Sequence, residues 1–220
     1  MLVLAAVLPA LAVLAYIYRA ARHRAAPQYV LLLFILGAVA VLPAGLAERF
    51  LLDVYSHTPE PQNALLVTLV TSFFIAGATE ESIKGLLFRR LVYRKPFFEK
   101  PYDGILYAVA IGMGFATVEN ILYVTSYGLS TAFVRAFTAV PAHALFGIVM
   151  GASFSRAKFA GEPVWRAFVI PALLHGLYDA FAMAQSFSAN VLLIVYLMWL
   201  VRFAYLRAKP LTGKLRYRVS

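Results

Sequence analysis

The chain has 220 residues, of which 62% are hydrophobic and only 14% charged, and its mean hydropathy is +0.78. That composition excludes a soluble domain, and continuous apolar runs approaching the ~20 residues that cross a bilayer exclude an alternating membrane β-barrel. The absence of cysteine excludes disulfide and thiolate chemistry, and the net charge of +10 tempts a nucleic-acid reading that the positions of the charges do not support.

Hydropathy predicts an all-α, polytopic transmembrane helical bundle of seven spans. They are Leu2–Tyr18, Tyr29–Phe50, Ala64–Leu91, Asp103–Tyr127, Thr131–Phe154, Val164–Ala184 and Ser188–Leu206. No polar stretch is long enough to fold alone, so residues 1–220 read as one integral-membrane domain with a motif-bearing core over 64–184. The first span has no basic residue before it and Arg19, Arg22 and Arg24 after it, the reverse of a signal peptide, so it reads as a retained span.

Basic residues set the expected topology. Arg19, Arg22 and Arg24 lie in the first loop; Arg89, Arg90, Arg94, Lys95 and Lys100 lie around the third; Arg156, Lys158 and Arg166 flank the fifth. Arg202, Arg207, Lys209, Lys214, Arg216 and Arg218 end the chain. The opposite loops hold only Arg49 and Arg135. This alternation places the N-terminus outside and the C-terminus in the cytoplasm, with a basic tail over 207–220 facing anionic lipid rather than nucleic acid. Leu51–Asn63, with Asp53, His57, Pro59, Glu60 and Pro61, reads as the longest outside loop. Gly128–Ser130 and Gln185–Phe187 read as short turns between antiparallel neighbours. No internal repeat of the inverted-transporter kind is visible.

Ionisable groups at membrane depth are costly and usually mark a site. The third span carries Glu80-Glu81-Ser-Ile-Lys84. Glu80 and Lys84 share a face and can pair, and Glu81 is about 100° further round, directed elsewhere. The bland alternative is a neutralised pair locking two helices. The fourth span carries Glu119-Asn120-Ile-Leu-Tyr123, the fifth His143 with Gly147, and the sixth His175 with Asp179. At 1.5 Å per residue these groups stand about 13–24 Å above the nearest charge at the cytoplasmic end of each helix, inside a core about 30 Å thick. Four consecutive helices thus aim polar groups at one zone. A lone membrane histidine is more often an interhelical hydrogen bond, but two histidines with carboxylates can activate water. Pro141 and Pro171 precede the histidines and predict kinks there. Gly147 and Gly151, and Gly112 and Gly114, offer close helix approach. Phe73, Phe74 and Tyr107 are candidates to line a lateral gate.

Taken in order, Glu80-Glu81-x-x-Lys84, Glu119-Asn120-x-x-Tyr123, His143-x-x-x-Gly147 and His175-x-x-x-Asp179 resemble the PrsW family of intramembrane proteases, related to the CPBP family that includes the CAAX prenyl endopeptidases. The resemblance covers about residues 77 to 180; the first, second and seventh spans carry no motif. Lysine at 84, where the prenyl relatives usually carry arginine, together with Glu119-Asn120, favours the PrsW branch. The resemblance implies a helical bundle in a prokaryotic cell membrane that hydrolyses a peptide bond in a single-span membrane protein such as an anti-sigma factor. It implies Glu80 as the base activating water, Glu81 as its support, and His143 and His175 as carbonyl-polarising or zinc-ligating groups. Asp179 would orient a histidine or the water, Glu119, Asn120 and Tyr123 would support the site, and Lys84 would neutralise a carboxylate. Glu80, His143 and His175 are an adequate zinc set, while the short H-E-x-x-H motif is absent; metal-dependent and glutamate-only chemistry both fit these residues. A proton-coupled carrier or a membrane scaffold would use the same buried groups without hydrolysis.

Overall fold

A computed structural model describes residues 2–21, 25–57, 63–184 and 186–212. The basic residues Arg22, Arg24, Lys214, Arg216 and Arg218, the loop residues Pro59, Glu60 and Pro61, and Gln185 lie outside the described residues.

The described chain forms helices joined by short turns, with no strand among the described residues. In order it forms α1 (Leu2–Ala20), α2 (Pro27–Val39), α3 (Val41–Ser56), α4 (Ala64–Leu69), a π-helical segment (Val70–Gly77), α5 (Ala78–Leu91), α6 (Pro101–Tyr127), α7 (Leu129–Phe137), α8 (Ala139–Ala160), α9 (Arg166–Met183) and α10 (Phe187–Thr212). Among the described residues, six helical stretches are long and apolar enough to cross a membrane: Leu2–Ala20, Pro27–Ser56, Ala64–Leu91, Pro101–Tyr127, Leu129–Ala160 and Phe187–Leu211. The sixth expected span, α9, is a helix of 18 residues that carries Arg166 and Asp179, and it completes the set of seven.

The breaks have local causes. Pro43 has no N–H to donate to the carbonyl of Val39, and the second span breaks there into α2 and α3. Leu51–Ser56, expected in the outside loop, instead continues α3, because its leucines, Val54 and Tyr55 keep helical spacing. The fifth span also differs from expectation. Gly128, at φ 87°, turns the chain out of α6. A separate helix, α7, follows before α8 begins at Ala139. Pro141 therefore falls in the first turn of α8, where a missing N–H costs nothing, and it starts a helix rather than kinking one. Pro171 does lie inside α9.

The π-helical segment directly precedes the Glu80-Glu81 turn. The Ala78 N–H donates to the carbonyl of Phe73, five residues back. Such wide turns are rare and cluster at functional sites.

α6 is the central helix, with Asp103–Thr117 buried without interruption. Its neighbours reach it through small residues. A Cβ on Gly151 of α8 would overlap the Gly104 carbonyl, one on Gly147 would press on Val109, and one on Gly114 would overlap the Phe34 carbonyl of α2. Gly112 faces the carbonyl of His143 itself. The glycines expected to permit close approach are thus contacts between α6, α8 and α2, and they bring His143 against α6.

Candidate functional site

The polar residues of α5, α6, α8 and α9 converge inside the bundle. Glu80, Glu81, Lys84, His143 and His175 are each no more than 6% exposed. Lys84 is the hub. Its Nζ donates to Glu80 Oε2 at 2.9 Å and to Glu81 Oε1 at 2.8 Å, and lies 3.3 Å from His143 Nδ1. Glu81 is therefore not directed away from the pair, as its 100° offset suggested. Positions three and four residues before Lys84 flank its stem on the same face, and a long side chain reaches both. The ammonium also stands 4.0 Å over the ring of Phe115.

The hydrogen-bond directions follow from what each group can give. An ammonium has three protons and no lone pair, so His143 Nδ1 accepts from Lys84. The remaining nitrogen, Nε2, then carries the proton and donates to Glu119 Oε2 at 2.8 Å. His175 Nδ1 is 3.0 Å from Glu81 Oε1 and 3.8 Å from Glu80 Oε2, and its Nε2 is 3.3 Å from Asp179 Oδ2. The sixth span's His-Asp pair thus meets on one face, as its spacing predicted. The two imidazoles stand edge to face with centroids 5.2 Å apart, and Phe146 stacks on His175 at 4.9 Å.

Asn120 and Tyr123 lie one layer further out. The Asn120 Nδ2–H donates to the Ala6 carbonyl of α1 at 3.0 Å, which ties in a span that carries no motif. Tyr123 stacks under the guanidinium of Arg135 at 3.9 Å.

Two residues of this assembly were not singled out from the sequence. Arg135, expected as an outer-loop charge, turns inward from α7, with Nη2 3.2 Å from Glu119 Oε1 and Nε donating to Asn120 Oδ1 at 2.7 Å. Its signal was present: it is the one charge in a helix whose Leu129, Phe133, Val134 and Phe137 are exposed and apolar. Glu48 of α3 lines a cavity of about 270 Å³ together with Glu80, Glu119, Tyr123 and Asp179. Its Oε1 is buried there without a hydrogen-bond partner. Next to Arg49 at the end of an expected span, it reads in the sequence as a boundary charge.

Of the three gate candidates, Phe73 and Phe74 line an apolar groove of about 440 Å³ between the π-helical segment and α9, with Phe168 and Leu173. Tyr107 does not join them. It lies on a different cavity with Ala25, Tyr29 and Asp103, where its hydroxyl donates to the Phe97 carbonyl at 3.2 Å.

Glu80, Glu81, His143 and His175 each offer a ligand atom within 4.8 Å of the others, all buried. Two imidazole nitrogens and two carboxylate oxygens fit a divalent metal such as zinc. Glu81 Oε2, buried and without a hydrogen-bond partner, is a free donor atom in this group. The Lys84 ammonium stands among the same atoms as a built-in cation.

A profile of the PrsW family intramembrane metalloproteases matches residues 25–206. The chain belongs to the PrsW family of intramembrane proteases. It is 35% identical over 203 residues to Protease PrsW of Bacillus subtilis (strain 168), covering 89% of each chain. It is 35% identical over 190 residues to Protease PrsW of Geobacillus kaustophilus (strain HTA426), covering 84% of this chain and 81% of that one. With Protease PrsW of Oceanobacillus iheyensis (strain DSM 14371 / CIP 107618 / JCM 11309 / KCTC 3954 / HTE831) it shares 33% identity over 204 residues, 90% of each chain. No solved structure matches. The protein is thus an integral membrane protease acting on membrane proteins in a lipid bilayer, and the carrier and scaffold readings are not favoured.

Proposed function

We propose that this protease hydrolyses a peptide bond of a single-span membrane protein at the cluster of Glu80, Glu81, His143 and His175, in a prokaryotic cell membrane. The substrate class is that of an anti-sigma factor, cut first on the extracytoplasmic side. The observation that carries this reading is the cluster itself: two histidines and two carboxylates with ligand atoms within 4.8 Å, deep in a membrane bundle. Glu80 also lines the cavity that Glu119 and Asp179 share.

Glu80 takes a proton from water in that cavity as the water oxygen bonds to the scissile carbonyl carbon. The carbonyl oxygen becomes an oxyanion, offset by the neighbouring Lys84 ammonium and by an N–H of His175 drawn from its carboxylate partners. As the C–N bond breaks, Glu80 returns the proton to the departing amine, leaving a carboxyl and an amino terminus. Lys84 balances the paired carboxylates throughout. Asp179 and Glu119 hold the two histidines in orientation. Glu80, His143 and His175, with Glu81 adjacent, would hold zinc, which when bound supplies Lewis-acid polarisation of the water or carbonyl.

The test is cleavage of a panel of single-span substrates by detergent-purified protein, with metal analysis and Glu80→Gln as control. Loss of at least ~10²-fold in cleavage rate in the mutant is expected for removal of a general base. Cleavage lost on chelation and restored by zinc assigns the metal. Cleavage that survives exhaustive chelation assigns the chemistry to Glu80 and the histidines alone. An undiminished Glu80→Gln enzyme overturns the mechanism.

A further inference from the structure

We infer that Arg135 is a positioning residue for this site, acting through Glu119 on His143. The Gly128 turn folds α7 back so that one guanidinium makes three contacts at once. Nη2 pairs with Glu119 Oε1 at 3.2 Å, Nε donates to Asn120 Oδ1 at 2.7 Å, and the plane lies 3.9 Å over Tyr123. Asn120 is itself fixed by the Ala6 carbonyl. The Nη2–Glu119 contact is an ion pair without hydrogen-bond geometry, and the planar fork combines it with the Nε hydrogen bond and the stack on Tyr123 in a way a point-charge ammonium cannot.

The consequence reaches the histidine. With Oε1 held by Arg135, Glu119 presents Oε2 to His143 Nε2 at 2.8 Å. That bond and the Lys84 contact on Nδ1 together select the Nε2–H tautomer and fix the ring. Nδ1 is thereby kept facing Lys84, the ammonium that Glu80 and Glu81 share. Carboxylates that hold a ligand or catalytic histidine in this way are part of how such sites work. Glu119 also lines the cavity, so without Arg135 its carboxylate is free to turn into that space. The first motif-free span and a nine-residue helix thus both serve His143.

The inference rests on His143 acting in hydrolysis, and the experiment separates the two ideas. Histidine ring nitrogens are labelled with ¹⁵N in the full chain in detergent micelles, and wild type is compared with Arg135→Gln and Arg135→Lys. Wild type is expected to show His143 as a single tautomer with the proton on Nε2. Arg135→Gln is expected to lose that single signature while the His175 signals stay in place. With a cleavable single-span peptide, kcat should fall between about 10- and 100-fold with KM within twofold. Arg135→Lys should recover part of both losses. An unchanged His143 signature in Arg135→Gln overturns the inference. Joint loss of the His143 and His175 signatures with a lowered melting temperature also overturns it, since that marks a purely structural arginine. A changed signature with unchanged kcat leaves the positioning standing and overturns the role of His143.

Discussion

Lys84 places three N–H donors against three acceptors, on Glu80, Glu81 and His143, in a site that is almost fully buried. Removing one partner of a buried ion pair strands the other charge, at a cost of about 3–5 kcal/mol. Lys84→Met strands two carboxylates. It should lower the stability of the detergent-solubilised protein by roughly that amount, and Glu81→Gln in the same chain should return part of the loss. A thermal melt of the single and double variants checks this; an unchanged Lys84→Met melting temperature would refute the neutralising role. The Glu80–Lys84 spacing made this pair legible in the sequence. The second contact, to Glu81, was not legible, because a helical wheel treats side chains as directions and ignores the reach of a four-carbon stem. Arg135 shows the same limit at longer range. Its partners Glu119 and Asn120 lie on another helix, and only the turn at Gly128 brings α7 back to them.

At the scale of elements, the site depends on how closely the third span meets α9. A Cβ on Gly77 would come within 2.8 Å of the Ala172 carbonyl oxygen and of the Gly176 backbone nitrogen. A Cβ on Gly176 would press on the Phe73 ring. These contacts are backbone against backbone at Gly77, so no rotamer change relieves them. Gly77→Val should part the two helices and break the Glu81–His175 contact, which is 3.0 Å long. The expected result is loss of cleavage by at least about tenfold, one pair's worth of orientation at the site, with far-ultraviolet helicity retained. Retained activity in Gly77→Val would show that the helices do not need this approach. The sequence marked glycines on α6 and α8 as contact points, and they are. It did not mark Gly77, which has Phe73 and Glu81 four residues to either side, or Gly176, although Ala172 and Ala180 give it small-residue spacing. The π-helical turn beside them was equally unreadable, since its residues have ordinary helical composition.

For the whole molecule, the distribution of basic residues leads us to propose an outside N-terminus and a cytoplasmic C-terminus. The chain has no cysteine, so single substitutions report without background. Ser130→Cys, in α7, should react with an impermeant thiol reagent on intact cells. Glu162→Cys, beyond α8, should react only after permeabilisation. The reverse pattern would invert the proposed topology and place the cavity end of the bundle on the cytoplasmic side.

Composition and hydropathy alone determined a helical membrane bundle, because a bilayer leaves a polar backbone few other ways to be satisfied. Isolated charges inside apolar spans marked the groups that the fold brings together, because such charges are costly in a bilayer. Both properties are local along the chain. Only the tertiary structure decided that Glu81 shares Lys84 with Glu80, that Arg135 and Glu48 face the same assembly, and that Tyr107 lies elsewhere. Those outcomes depend on helix rotation, on one positive-φ turn and on glycine contacts of a few ångströms, and these are set by packing between segments distant in sequence.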